Sequence, residues 1–313
     1  MEMVTDRPST LRSIASLFKS WISPSGERQD WVAYVLLAPV LILFAIGVLY
    51  PLFETIRVSF LDWTGLGPQK PTGLNNYFKL WKDPSFRSAL SVTLTWTLAT
   101  TFFSVLIGWS IALISGLDPR RTIIFRVAIF AAYGVSEVAS GVIWLGIVQP
   151  DFGMLNGILR GIGLGDLAYP WLGNADTAIW ALVAAYVWTA AGLPLLTCYA
   201  AIVAIPKSQI EAAYVDGATH MQVLRHILIP YSMPGLRVAI FLILLNSLKA
   251  FDLIHVMTEG GPVRGTETVG YFMFKEAVVY FKQGYGAAST VVLLIGVIVI
   301  SLPLIFERSS ERR

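Results

Sequence analysis

Residues 211–230, EAAYVDGATHMQVLRHILIP, are a polar interruption in a very apolar chain. Glu211-Ala212-Ala213 opens the stretch, Gly217 lies six residues after the glutamate, and Ile227 and Pro230 close it. Apolar runs flank it on both sides, and about 20 such residues cross roughly 30 Å of hydrocarbon as a helix. Ser208 is placed to cap a helix whose first turn holds Glu211, where a negative charge is favoured. Ala212 and Ala213 are strong helix formers. Gly217 can end or bend the helix at little steric cost. Residues 218–228 then form a second helical piece, and Pro230 begins the return into the next span. On these residues alone the stretch is either a compact docking element or an interfacial hairpin that merely joins two spans.

The rest of the chain sets the class. Of 313 residues, 55% are hydrophobic and only 14% charged, where soluble domains carry about a quarter charged residues. The expected fold is an all-α integral membrane protein with six transmembrane helices, at residues 31–56, 88–114, 123–148, 177–205, 236–256 and 285–306. The net charge of +3 is small and forms no basic stripe, which gives nucleic acid no footprint. The single cysteine, Cys198, excludes an internal disulfide.

Residues 1–30 form a polar N-terminal segment without a signal-peptide pattern. Leu11, Ile14, Leu17, Phe18, Trp21 and Ile22 fall near helical spacing, which reads as a helix lying on the membrane surface, or else as a disordered tail. Residues 31–306 form the membrane domain, with the interruption at 208–230, and residues 307–313 a charged tail. An even number of spans puts both termini on one side. Basic residues in the N-terminal segment, the link 115–122 and the tail favour that side being the cytoplasm. Lys70, Lys79, Lys82 and Arg87 in the first outer loop run against this. Gly108 and Ser104 in the second span allow close helix packing. Glu137 sits near the middle of the third span, where a carboxylate is costly and is a functional candidate.

The pattern Glu211-Ala212-Ala213, Gly217, Ile227-Leu228-Ile229-Pro230 resembles the EAA loop of permease subunits of binding-protein-dependent ABC importers. Ile229 stands where leucine is usual. Asp216-Gly217-Ala218, Ile205-Pro206, Phe251-Asp252, Met257-Thr258-Glu259-Gly260-Gly261-Pro262, Thr266 and Thr268 resemble the maltose-type carbohydrate permeases. The resemblance covers about residues 31–306. It implies a type I ABC importer permease fold with a cytoplasmic coupling helix in the bacterial inner membrane. It also implies partners: a second permease subunit, two ATP-binding cassette subunits that hold ATP and magnesium, and a periplasmic solute-binding protein. Glu211 would make the charged contact with the ATPase, with Asp216 beside it, while Ala212, Ala213 and Gly217 permit close docking. No G-x-x-x-x-G-K-[ST] loop occurs, so this chain is expected to hydrolyse no ATP and to carry no cofactor of its own.

Sugars need hydroxyl-matching polar groups in a concave site. On the fifth span Ile243, Asn246, Ser247 and Ala250 follow i, i+3, i+4, i+7 and are expected to share a face. The resemblance implies that this face and Thr189, Ala190 and Leu193, with Trp188 adjacent, line the sugar site. The family's maltose permease has an aromatic side chain near the position of Asn246, so the maltose contacts do not carry over. Asn246 either touches substrate or bonds between helices. Lys249 either pairs with Asp252 or Glu137, or faces the cavity and holds an anionic group of a sugar or glycerol derivative. No metal-ligand cluster and no Ser/His/Asp grouping is legible. Two rival readings, an ion-coupled secondary transporter and an intramembrane enzyme, leave the EAA pattern unexplained; the first would favour internal repeats and paired mid-membrane carboxylates.

Overall fold

The computed structural model of the chain describes residues 30–310. The surface helix expected in the first thirty residues lies outside the described residues, as do the last three residues of the tail. The regular elements of the described chain are helices, apart from a two-stranded antiparallel hairpin in which Leu61 faces Pro71 and Asp62 faces Lys70.

The N-terminal body is the first span. It runs as α1 (Asp30–Phe44), a π-helical turn at Ala45–Leu49, and α2 (Tyr50–Ser59). The π turn ends two residues before Pro51, which has no N–H to give the carbonyl four residues back. The same arrangement recurs at Leu224–Leu228, two residues before Pro230. Each proline is therefore absorbed by a local widening, and both helices continue through it.

The second body begins at Ile56. Its axis is α4 (Pro84–Leu117), preceded by the short α3 (Asn75–Lys82). Asp83 caps α4 by accepting the Ser85 N–H at 2.8 Å, and Pro84 occupies the first turn, where its missing donor costs nothing. Three tiers of packing follow along α4. Phe86 and Ala89 join Leu80, Phe272 and Ala288. Trp96 and Val105 join Leu182, Tyr186, Ile243 and Ile254. Ala112 and Leu113 join Leu195, Cys198, Ile202 and Leu228.

Small residues set how closely α4 approaches its neighbours. A Cβ on Gly108 would run into the Ala191 carbonyl and come within 2.7 Å of Leu195 N. That contact sits at the joint between α8 (Ala175–Ala190) and α9 (Gly192–Val203), which together make one span. Two indoles also pin α4 to α12 (Ile229–Leu248): Trp96 Nε1 donates to Ser247 O at 3.1 Å and Trp109 Nε1 to Ser232 Oγ at 2.9 Å. Each such bond contributes about 1 kcal/mol net.

The expected third span is broken. α5 (Ile123–Tyr133) and α6 (Glu137–Ile147) meet at 109°. Ser136 caps α6 by accepting the Ala139 N–H, so Glu137 lies in the first turn after a break, not in mid-helix. With this pair counted as one span, the described residues hold six; counted strictly, five helices are long and apolar enough to cross a membrane.

The remaining elements are α7 (Met154–Gly161), α10 (Lys207–Val215), α11 (His220–Val223), α13 (Asp252–Met257), α14 (Val269–Phe274) and α15 (Gln283–Ser310). α15 continues past residue 306, so the segment expected as a separate tail begins as helix. The stretch between the expected fifth and sixth spans contains α14, whose N-cap Thr268 accepts the Tyr271 N–H.

Candidate coupling segment and transport face

The interruption folds as two helices joined by a tight turn. α10 starts at Lys207 after Pro206, which makes no side-chain cap bond. The expected cap at Ser208 is therefore not formed, and Glu211 falls in the second turn of the helix rather than the first. The proline itself fixes the start one residue earlier, by setting φ at −57° just ahead of the helix.

The end of α10 has a complete Schellman geometry. Gly217 N donates to Tyr214 O at 3.1 Å, and Ala218 N donates to Ala213 O at 2.9 Å. Gly217 has φ +83°. An added Cβ there would meet nothing within 4 Å, so glycine is required by conformation and not by space within this chain. Ala213 and Ala218, bonded across the turn, both pack on the lowest tier of the core beside Ile210.

Two residues later Thr219 opens the next helix with a capping box. Its N–H donates to Gln222 Oε1 at 2.7 Å, while Gln222 N donates to Thr219 Oγ1 at 3.3 Å. The helix begun here does not stop before the fifth span. His220–Leu248 is a single rod of 29 residues, so the expected separate piece at 218–228 is the first part of the span. Pro230 sits inside the rod instead of beginning it.

The two helices diverge from the turn and enclose a groove of about 290 Å³, lined by Ala213, Asp216, Gly217, Ala218, Gln222, Val223, His226 and Ile227. Glu211, Ala212, Asp216 and Gly217 are all exposed, the last two at the groove, and Val215 is 88% exposed. The Tyr214 and His220 rings lie 5.3 Å apart across the joint. Gln209 Nε2 donates to Tyr231 Oη at 2.9 Å, tying α10 to the rod. The segment is thus a braced element presenting one carboxylate-bearing face with small side chains.

The residues expected to contact substrate divide into two groups. Ile243 is buried in the central tier, where Ala190 and Ala250 are also buried and Leu193 packs partly against them. Thr189 is buried and donates to Tyr186 O at 3.0 Å; Ser247 is fully buried and donates to Leu244 O at 3.0 Å. Asn246, Lys249 and Trp188 are exposed. The expected common face of 243, 246, 247 and 250 is therefore split, with Asn246 turned away from the other three. The helix also ends at Leu248, and Ala250 lies in the unwound link before α13, so the i+7 relation does not reach it.

Lys249 occupies the C-cap of α12, where the helix dipole favours a cation. Among the described residues it has no ion-pair partner, so neither Asp252 nor Glu137 closes on it. The structure instead packs α13, which begins at Asp252, against α6, which begins at Glu137. The exposed line Asn246, Lys249, Asp252, His255 continues down the chain, and the His255 ring stacks on Phe251 at 5.4 Å. His255 and this stack had no signal beyond the i, i+3 spacing of polar residues near the end of an apolar run.

A second polar cluster, around Glu267, was not anticipated at all. Glu267 is 2% exposed and pairs with Lys275 Nζ at 3.1 Å. Arg264 lies 3.7 Å from the same carboxylate. Beside it Thr258 and Thr266 hydroxyls meet at 2.7 Å, and Thr266 donates to Gly261 O, which knots the Gly260-Gly261-Pro262 stretch.

Residues 104–312 match the family described as binding-protein-dependent transport system inner membrane component. A probable ABC transporter permease protein of Pyrococcus horikoshii is 32% identical over 90% of this chain and 97% of its own length. The trehalose/maltose transport system permease protein MalF of Thermococcus litoralis is 28% identical over 91% of this chain and 96% of its own. The sn-glycerol-3-phosphate transport system permease protein UgpA of Yersinia pestis is 28% identical over 93% and 99%. In fold, the chain is similar to a bacterial alginate ABC transporter solved with an alginate pentasaccharide-bound periplasmic protein. There the TM-score is 0.77 at 20% identity, covering 88% of this chain and 93% of that one.

Proposed function

This chain belongs to the family of binding-protein-dependent transport system inner membrane components, and from that premise we propose that it carries a sugar or sugar derivative into the cell. It is a permease subunit of an ABC importer with the type I fold. In our reading it pairs with a second permease subunit, forms half of the pathway, and receives its ligand from a periplasmic binding protein. Two ATP-binding cassette subunits bind ATP and magnesium, and this chain supplies no nucleotide site. The coupling segment and both termini face the cytoplasm.

The observation that carries this reading is the braced turn at 207–222. An exposed carboxylate, Glu211, stands on a short helix whose end is fixed by the Schellman turn at Gly217. That helix is locked to a rod leading into the membrane. Such an element suits insertion into a cleft on an ATPase and transfer of its motion inward. On the membrane side, Asn246, Lys249 and Trp188 are the residues proposed to meet the ligand. Thr189, Leu193, Ile243 and Ser247 hold them from behind. Lys249, without an ion-pair partner among the described residues, is suited to an anionic group, and one relative is named for sn-glycerol-3-phosphate transport.

The test is uptake by the assembled importer in proteoliposomes. Uptake is expected to survive collapse of ion gradients, to fail without ATP, and to fail in Glu211→Lys while the chain stays in the membrane. Normal uptake by Glu211→Lys removes the coupling role. In a parallel arm, Lys249→Met is expected to weaken uptake of an anionic ligand and to leave that of a neutral one intact. Unchanged transport of the anionic ligand removes the role given to Lys249.

A further inference from the structure

The break between α12 and α13, residues 249–251, carries Lys249 on its exposed side and is held firmly on the other. Thr268 Oγ1 donates to Ala250 O at 2.9 Å, and a Cβ on Gly270 would come within 2.9 Å of the same carbonyl. α14 is therefore seated directly on the break. Glu267 and Lys275, 3.1 Å apart, bracket α14 at its two ends. α13 is fixed from its other flank by α6, where a Cβ on Gly141 would come within 2.9 Å of Val256 Cγ1.

Four rings meet between α13 and α14. Phe251 and His255 stack at 5.4 Å with 12° between their planes. Phe274 stands edge-on to both, 4.9 Å from Phe251 and 5.5 Å from His255. Tyr271 completes the group, 5.8 Å from His255 and 6.0 Å from Phe251. Lys275 Nζ lies over the Tyr271 ring, 5.9 Å from its centroid, so the ion pair with Glu267 also steadies that ring. Tyr271 is buried, Phe251 and Phe274 are half-buried, and His255 is exposed.

Burial of apolar area accounts for the other three rings. It does not account for a histidine at the exposed corner, where a fourth phenylalanine would stack as well. Stacking on Phe251 covers one face of the imidazole and leaves its rim open. Among the described residues neither His255 nitrogen has a hydrogen-bond partner. His255 also ends the exposed line that begins at Asn246 and Lys249, the residues proposed to meet the ligand. A sugar asks for a flat apolar surface and, beside it, groups that match its hydroxyls. Neutral imidazole brings both, with one donor and one acceptor in the plane of its ring. Phenylalanine would bring only the surface, and the Asp252 carboxylate only accepts.

We propose that His255 is a ligand-contact residue at the end of the transport face farther from the coupling segment, an assignment that rests on the permease function proposed above. Its ring, backed by Phe251 and held by Tyr271 and Phe274, meets a ring hydroxyl of the sugar. The contact comes from α13, beyond the break, whereas Asn246 and Trp188 stand on α12 and α8.

Ligand retention by the assembled importer, purified without its binding protein, tests this. The probe is a defined mixture of cyclic sugars, their acidic derivatives, acyclic polyols and sn-glycerol-3-phosphate. Retained compounds are identified by mass spectrometry, and their dissociation constants are measured by equilibrium dialysis. Wild type is expected to retain a compound with a sugar ring. His255→Phe keeps the stack and loses both nitrogens; it is expected to melt like wild type and to bind that compound roughly fivefold more weakly, the weight of one hydrogen bond. His255→Ala also loses the ring and is expected to bind it at least about tenfold more weakly. Equal binding by wild type and His255→Phe overturns the proposal, as does a wild type that retains acyclic compounds alone or nothing. Loss of the second permease subunit from His255→Phe, with unchanged binding by the complexes that do assemble, makes this corner a subunit interface and removes the contact. Failure here is separable from failure of the importer function, because ATP-driven uptake with the binding protein, and its loss in Glu211→Lys, do not depend on His255.

Discussion

Tyr285 Oη donates to Asp83 Oδ2 at 2.8 Å, joining the first turn of α15 to the N-cap of α4 across 202 positions of sequence. Burial by itself would push the Asp83 carboxyl up. The hydrogen bonds from Tyr285 and from Ser85 outweigh it and hold Asp83 below the ordinary carboxylate range. The capping contact is therefore one of the ionised form.

Tyr285→Phe is expected to lower stability by about 1 kcal/mol, the net value of one hydrogen bond to a partly exposed group. The sign with pH follows from linkage. A carboxyl depressed in the folded state contributes stability above its unfolded value of 3.8, and this is lost as pH falls through the lower folded value. The variant is expected to lose the contribution at a higher pH than wild type. Thermal melts of the purified complex from neutral pH down to about 3 check this; parallel curves for the two proteins would count against it.

Gly217 is expected to tolerate asparagine and to reject valine. At φ +83° a β-branched residue costs about 1–2 kcal/mol, while Asn visits this region readily. Because an added Cβ meets nothing within the chain, Gly217→Asn should leave the turn intact. Gly217→Val should fray α10 and speed amide exchange at Gly217 and Ala218. If uptake also fails in Gly217→Asn while exchange stays slow, the glycine is needed for space against the partner and not for its φ.

Glu267→Gln leaves Lys275 without its charge partner in a largely buried setting, which is expected to cost about 3 kcal/mol. Arg264→Gln, with the arginine 42% exposed and 3.7 Å away, is expected to cost under about 1 kcal/mol. Melting temperatures of the two variants decide; a larger loss in Arg264→Gln reverses the assignment.

Apolar run length located the first, second, fourth and sixth spans to within a few residues. It could not report the 109° break at residues 134–136, because a bent pair and a straight helix have the same hydropathy. The local signals were present: Gly134 ends α5 and Ser136 caps α6. The start of the fifth rod was misplaced for a related reason. Polar residues at 219–226 suggested a separate helical piece ahead of the span, while Thr219 and Gln222 at capping-box spacing mark the start of the span's own helix. The EAA pattern was legible because its parts are local: helix, αL glycine, cap. The transport face was less so. Asn246 sits at the rim of the buried arc formed by Ile243 and Ser247, and a wheel drawn through four positions cannot tell rim from centre. Glu267 and Lys275 gave no warning, since they are eight residues apart and meet only through the fold around α14.

The rod from His220 to Leu248 has no break between the capping box and Lys249. Its 29 residues extend roughly 43 Å at 1.5 Å per residue. It softens at two places, the π turn at Leu224–Leu228 near its start and Pro234 at its middle, where one backbone hydrogen bond is missing. Trp109 on Ser232 near the middle and Trp96 on Ser247 near the far end fasten the rod to α4, so a displacement imposed at Thr219 would be shared with α4 on its way to Asn246 and Lys249.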